Sequence, residues 1–356
     1  MFIIKYILRY LLYIVLAVVL AVAVLLGYST FTDYKPEPSE ILSITGKGAT
    51  IQGNEFSIMI WNVGYCGLGK EMDFFNDGGK SVRASRELTD KYVTGISGFV
   101  AGNDSVDFIL LQEVDKDSKR SYNIDEEERL SSALPGFTRS FALNYDCKFV
   151  PVPFKFPYEP YGKTYGGLLS FSRFTPVSST RYQYPGGFSW PTNLYMLDRC
   201  MQVLSYKLPN GKELQVINTH NTAYDETGEI KRTEMEFIKK FLESETAKGN
   251  YVVMGGDWNQ APPGFDALQF NKNIASGYTM QSIDSTLIPR NWKVVFDPTK
   301  PTNRANLTEY RPGETFTTLI DFFITSPNIE VVAVKTIDLG FVNSDHQPVY
   351  LKVRLK

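Results

Sequence analysis

Only two histidines occur in the 356 residues, and each closes a short run that turns polar: Asn218-Thr219-His220-Asn221 and Ser344-Asp345-His346. Imidazole is the side chain whose ordinary pKa lies nearest neutrality, so a chain this sparing with it is expected to keep it where protons move or a charged donor is needed. Taken singly, either histidine reads as a hydrogen-bonded structural group. Their company changes that reading, because Asn62, Glu113, Asp257, Asn259, Asp321 and Asp345 also stand where apolar runs end or begin. The set is oxygen ligands and proton-handling groups, with no histidine triad or cysteine cluster of the kind zinc favours. It suits a hard cation, Mg²⁺ or Mn²⁺.

The runs that carry these residues are short, apolar and β-branched, which predicts strands. Phe56-Ser-Ile-Met-Ile60 leads into Trp61-Asn62, and Asp107-Phe-Ile-Leu-Leu111 into Gln112-Glu113. Leu214-Gln-Val-Ile217 leads into Asn218-Thr219-His220, and Tyr251-Val-Val-Met254 into Gly255-Gly256-Asp257-Trp258-Asn259. Ile320 to Thr325 and Pro348 to Arg354 complete the series. Ala84 to Val100 separates the first two runs. Ile230 to Glu245 separates the next two and predicts an amphipathic helix, with Ile230, Phe237, Ile238, Phe241 and Leu242 on one stripe and Gly249-Asn250 as its stop. Strand, helix, strand therefore occurs twice, each time with a polar cluster on the first strand and a carboxylate at the second. The expected fold is α/β: a four-layer sandwich of two packed mixed β-sheets flanked by helices, with the polar ends meeting across a groove.

Ahead of this domain, Tyr10 to Gly27 is unbroken apolar or aromatic sequence, preceded by Lys5 and Arg9 and followed by Asp33, Lys35, Glu37 and Glu40. Its length matches the ~20 residues that cross a bilayer, and the charge asymmetry leaves the amino terminus in the cytoplasm. The expectation is one transmembrane helix over residues 1–28, a linker over 29–45 containing Pro36 and Pro38, and a catalytic domain over 46–356 on the non-cytoplasmic side. The alternative is a cleaved signal peptide, with Ala21, Ala23 and Gly27 furnishing small residues for cleavage; the run exceeds the ~7–15 residues of a typical signal. Either way the remainder is exported. Net charge is −2, or −4 without Lys5 and Arg9, which argues against strong sequence-independent binding of duplex nucleic acid. Cys66, Cys147 and Cys200 allow at most one intramolecular disulfide. No segment calls for an obligate protein partner.

Six motifs in order, Trp61-Asn62, Leu111-Gln112-Glu113-Val114, Asn218-Thr219-His220, Gly256-Asp257-Trp258-Asn259, Ile320-Asp321-Phe322 and Ser344-Asp345-His346-Gln347-Pro348, resemble those of the endonuclease/exonuclease/phosphatase superfamily, the deoxyribonuclease-I-like metal-dependent phosphoesterases. The resemblance runs from about Phe56 to Leu355. It implies that Glu113 binds the divalent metal, with Asn62 contacting metal or phosphate and Asp345 joining that shell. It also implies that Asp257 activates the attacking water, that Asn259 holds water or a phosphate oxygen, and that His346, braced by Asp321, donates to the phosphorane. His220 would act from the other side, and Arg199 stands roughly where relatives contact phosphate.

Departures accompany the resemblance. No acid occurs in Tyr161-Gly-Lys-Thr-Tyr-Gly-Gly-Leu168, where deoxyribonuclease relatives place a partner for the first histidine. The Trp-Cys-Asp-Arg element of inositol phosphatases is replaced by Thr317-Thr318-Leu319-Ile320-Asp321. Two aromatic stretches, Phe141 to Tyr165 and Tyr182 to Tyr195, are expected as loops around the groove, and 261–318 as a long insertion without an assigned role. The expected activity is metal-dependent hydrolysis of a phosphodiester substrate, in nucleic acid or a phospholipid headgroup. The alternative is a non-catalytic binding module that keeps the fold.

Overall fold

Strands buried on both faces read as nearly continuous apolar runs, and these do. In chain order the computed structural model, which describes residues 2–271 and 280–356, contains helix α1 (Phe2–Thr32), strands β1 (Ser39–Ile41) and β2 (Glu55–Asn62), helix α2 (Arg86–Ala101), β3 (Phe108–Asp115) and α3 (Glu126–Ala133). Then come β4 (Thr138–Val150), β5 (Gly162–Ser172), β6 (Ser178–Gln183), β7 (Cys200–Lys207), β8 (Glu213–His220), α4 (Glu229–Lys248) and β9 (Tyr251–Asp257). The last part adds β10 (Lys293–Val295), β11 (Asn303–Arg304), β12 (Thr317–Thr318), β13 (Asp321–Thr325), β14 (Ile329–Thr336) and β15 (Val349–Leu355).

One sheet has the order β14-β15-β2-β3-β5-β4 and the other β1-β6-β7-β8-β9-β13-β10. Among the described residues each holds one parallel pair, β2 with β3 and β8 with β9, flanked by antiparallel neighbours. Parallel neighbours need a crossover, and α2 and α4 supply it, so the repeated strand, helix, strand pattern is realised once per sheet.

Alternation along the strands builds the layers. Ile58, Ile60, Phe108 and Leu110 meet Leu204, Val216, Val253 and Phe323 of the opposite sheet in a shared inner core. The residues between them point outward: Met59, Trp61, Ile109 and Leu111 lie against Tyr92, Val93 and Ile96 of α2 and Leu130 of α3. On the other side Ile217, Val252, Met254 and Phe322 lie against Met235, Ile238 and Leu242 of α4. Burying one such side chain contributes ~1.5–3 kcal/mol. Those three residues therefore decide where α4 sits, since its exposed Arg232–Glu236 pair is worth only ~0.3–0.5 kcal/mol. Gly249, left-handed at φ 73, ends α4 by returning its N–H to Glu245 and Thr246 carbonyls.

Toward the site the inner layer turns polar, and its amides and hydroxyls bond one another, with Gln112 Oε1 left without a partner. Gln112 donates to Asn218 Oδ1 (2.7 Å), Asn218 donates to Leu111 O (3.1 Å) and Ser170 Oγ (3.2 Å), and Ser170 donates to Gln202 (2.6 Å). These bonds cross between the sheets, so the motif residues Gln112 and Asn218 set how the layers are aligned. Register within a sheet is guarded by Gly256, at φ 149, where an added Cβ would stand 2.0 Å from Thr219 O. Gly256→Ala is expected to cost ~3 kcal/mol or more, because backbone rather than a side chain blocks it. A denaturant midpoint within error of wild type would refute this.

Two expectations need correction. Phe141 to Tyr165 is mostly a hairpin of β4 and β5, and only 151–161 is loop; in β4 buried positions alternate with half-exposed ones, and bulges at Leu143/Tyr145 and Cys147/Val150 blur the period. The aromatic stretch from Tyr182 begins inside β6. Within 29–45, β1 pairs with β6, and Leu42 N–H donates to Ser179 O at 2.8 Å. The insertion at 261–318 contributes β10, β11 and β12, while its residues 272–279 lie outside the described residues. The three cysteines are free and buried. Helix α1 is long and apolar enough to cross a membrane.

Candidate active site

Strand parity delivers most of the site. The inward series Ile58, Ile60 continues to Asn62, Leu214, Val216 to His220, and Tyr251, Val253 to Asp257, while Asp321 precedes inward Phe323. Register then sets the neighbours, with His220 opposite Asp257 and Asp257 opposite Asp321. Glu113 breaks parity, since its strand position would send it outward with Ile109 and Leu111. Its backbone is left-handed (φ 56), and the pairing of β3 with β5 is irregular between Leu111 and Val114. A bulge of this kind re-aims a side chain, here into the groove.

Asn62 Nδ2 donates to both Glu113 Oε1 (3.1 Å) and Asp257 Oδ2 (2.9 Å), and Gly64 N–H holds Asn62 Oδ1 (2.9 Å). Asn62 is thus a clamp between two carboxylates, with its oxygen turned to Gly64 rather than toward them. Asp257 Oδ1 accepts from the Asn259 N–H (2.9 Å), and Asn259 Nδ2 donates to Asn221 O (2.9 Å). Burial pushes the Asp257 carboxyl up to about 6, with His346 pulling it down and Asp321 pushing it further up. Burial also raises Glu113, against Arg120 and with Asp345.

The two histidines sit in opposite electrostatic settings. His346 Nδ1 is 2.8 Å from Asp321 Oδ2, and its Nε2 is 3.7 Å from Asp257 Oδ2. Burial acts to lower its pKa, but Asp321 and Asp257 outweigh burial and hold it well above the usual value. His220 Nε2 is 3.4 Å from Asp257 Oδ2 and 3.7 Å from Glu113 Oε1, while its Nδ1 has no hydrogen-bond partner. Burial, together with Arg199 and His346, drives its pKa well below the usual value, so it is neutral. The missing acid in Tyr161 to Leu168 has this consequence: His220 can offer an Nε2–H but has no carboxylate to charge it from behind.

Asp345 lines the same cavity, of about 580 Å³, and accepts from Asn306 Nδ2 (2.7 Å) and Ser344 Oγ (3.4 Å). Arg199 is buried along the cavity wall with Nη1 unpartnered. Six of the eight motif residues and Arg199 therefore line one cavity, and the other two, Asn62 and Asp321, bond to residues that line it. Ligand atoms of Glu113, His220 and Asp257 lie within 4.8 Å of one another, as do those of Asp257, Asp321 and His346. A buried and a half-buried carboxylate clasped by a single amide, the half-buried Glu113 disfavoured as an anion by desolvation and by Asp345, are a donor set that a divalent cation fits.

The sequence profile described as the Endonuclease/Exonuclease/phosphatase family matches residues 59–346. The chain belongs to that family. Solved structures with the same fold include an endonuclease/exonuclease/phosphatase from Beutenbergia cavernae DSM 12333 (TM-score 0.57, 16% identity, 85% of this chain and 72% of that one). Another is from Bacteroides vulgatus (TM-score 0.53, 15% identity, 85% and 99%). A third is ANGEL2, a 2′,3′-cyclic phosphatase in complex with adenosine-2′,3′-vanadate (TM-score 0.55, 17% identity, 88% and 98%). No curated protein matches the chain by sequence.

This endonuclease/exonuclease/phosphatase member also has site residues that its motifs do not announce. Asn303 Nδ2 stands 3.0 Å from His346 Nε2, which suits a neutral ring; a charged ring, with hydrogen on both nitrogens, requires the Asn303 amide to turn its oxygen there. Asn303 and Asn306 lie in the 261–318 insertion, which has no periodicity to mark them. Arg120 follows a lysine in a polar stretch and looks like surface. Instead it is buried, forked onto Asp115 (2.8 Å, 2.8 Å) and lying 3.9 Å over the Tyr65 ring, where its charge opposes the upward shift of Glu113.

Proposed function

We propose that the chain is a membrane-anchored, divalent-metal-dependent phosphodiesterase that hydrolyses a phosphodiester substrate, in nucleic acid or a phospholipid headgroup. The observation that carries this is the convergence on one amide: Asn62 holds Glu113 and Asp257 together, with the His346–Asp321 pair 3.7 Å from Asp257. Attack on a phosphodiester develops charge on non-bridging oxygens, so what it needs is an aimed water and fixed positive charge. Mg²⁺ or Mn²⁺, held by Glu113 with Asp345 beside it, would supply Lewis-acid polarisation of the phosphoryl group when bound, while Asn62, its oxygen turned to Gly64, positions Glu113 rather than ligating. Asp257 takes the proton from the attacking water, which the Asn259 amide steadies. His346 donates from Nε2 to the developing oxyanion and keeps its charge through Asp321. His220 donates its Nε2–H from the opposite side, and the unpartnered Nη1 of Arg199 binds a phosphate oxygen.

Residues 46–356 form the catalytic domain in this reading, 29–45 join it to the anchor at 1–28, and Lys5 and Arg9 keep the amino terminus cytoplasmic, so the cavity works outside the cytoplasm. The full chain in detergent is expected to turn over bis(p-nitrophenyl) phosphate with Mg²⁺. EDTA should lower the rate at least ~100-fold, and excess Mg²⁺ or Mn²⁺ should restore it. Absence of metal-dependent turnover on that ester, plasmid DNA and sphingomyelin would leave the binding module as the better reading.

A further inference from the structure

The last turn of α1 is fastened to the domain it precedes. The buried Ser29 hydroxyl shares a 3.1 Å hydrogen bond with the Tyr195 hydroxyl, and the Trp190 indole N–H donates to Thr30 Oγ1 at 3.2 Å. A hydrocarbon core of ~30 Å takes about 20 helical residues. Counted from Tyr10, where the unbroken apolar run begins, that length ends at Ser29 and Thr30. Trp190 therefore stands at headgroup level, where an indole satisfies both its apolar body and its N–H.

Close by, the loop between β4 and β5 presents more exposed rings. Phe156 is 99% exposed, Phe154 77% and Trp190 59%, and the Phe154 and Tyr158 rings stack at 6.2 Å. The loop springs from the end of β4 that is tied to the Tyr195 turn, through Tyr145 Oη to Tyr195 O (2.9 Å) and Cys147 Sγ to Leu194 O (3.4 Å). Outside α1, four of the five exposed large aromatic side chains among the described residues are these: Phe154, Phe156, Tyr158 and Trp190, the fifth being Tyr224. Isolated exposed rings need no cause, but three of these sit on the loop leaving β4, the strand that packs against α1, and the fourth bonds the last turn of α1. Val150, Val152, Tyr161 and Tyr195, which border this face, also line the catalytic cavity.

We infer that the face carrying Trp190, Phe154, Phe156 and Tyr158 is a second membrane contact, seated in the non-cytoplasmic leaflet beside α1. This rests on the reading of α1 as a retained span. The contact holds the domain in one orientation and opens the cavity at headgroup height. Two attachments, a helix and an aromatic face, resist the swivelling that a single tether allows.

The test uses the full chain reconstituted in phosphatidylcholine vesicles with or without brominated acyl chains. Trp61, Trp258 and Trp292 are buried in the domain, so Trp190 is the one placed to meet lipid. Emission is expected to fall in brominated vesicles by up to one tryptophan's share of the four, and the fall should vanish in Trp190→Phe. An environment-sensitive fluorophore on Phe156→Cys, at a fully exposed position, should shift to the blue on reconstitution. Equal emission in both vesicle types, with an unshifted fluorophore, overturns the inference. An alkaline carbonate wash separates the two readings. A chain that resists extraction but shows no bromine quenching keeps its anchor and loses the second contact, whereas a chain washed off loses both.

Discussion

Asp257→Asn is expected to lower turnover at least ~100-fold, the usual consequence of removing a positioned base. Its carboxylate accepts from Asn62 Nδ2 and the Asn259 N–H at 2.9 Å and lies within 3.7 Å of both imidazoles, which holds it at the centre of the site. Folding should hardly notice. The substitution removes a buried negative charge that burial and Asp321 already disfavour, and the new amide oxygen keeps the Asn259 bond while the bond from Asn62 Nδ2 is lost. The melting temperature should therefore stay within about 4 °C. The pH profile gives a second reading of the same role. A base must be ionised, so the wild-type rate is expected to climb as pH rises through the Asp257 pKa, which stands at about 6 and which a cation on Glu113 would move down. That acid limb should be absent from the residual activity of the variant. Turnover within tenfold of wild type, or an unchanged acid limb, would remove Asp257 from the role of base.

His346→Ala should cost as much in rate, at least ~100-fold, by deleting a fixed charge aimed at the oxyanion. It should also destabilise the fold by ~3–5 kcal/mol, because Asp321 is fully buried and loses its imidazolium partner. The double variant His346→Ala with Asp321→Asn separates the two effects. Removing the stranded charge should recover most of the stability measured by denaturant midpoint and none of the turnover. If the double variant regains activity, or the single variant keeps it, His346 does not stabilise the transition state.

The motif residues were legible because their chemistry is local: a carboxylate or imidazole at the end of an apolar run is visible without knowing what it faces. The four layers were legible for a related reason, since strands buried on both sides and a helix with one apolar stripe each state what they must pack against. Legibility failed where two demands overlap in one segment. β4 mixes buried, half-exposed and exposed positions across two bulges, so its period is hidden, and the 29–45 segment has tether composition yet lends β1 to a sheet edge. Asn303 and Asn306 could not be found because amides without periodicity acquire meaning only from the histidine and carboxylate they meet.

Taken by itself, the sequence determined which polar side chains gather at the candidate site, the strands that carry them, and an apolar helix of membrane-spanning length ahead of them. Tertiary structure decided the rest. It turned Glu113 inward against its strand parity, gave Asn62 to two carboxylates at once, placed the two histidines in opposite electrostatic settings, and brought Trp190 against the last turn of α1. The physical reason is range. Residue type and periodicity act along the chain, whereas pKa shifts, clamps and surfaces arise from groups such as Asn62 and Asp257, far apart in sequence and brought within 3 Å by the packing of two sheets.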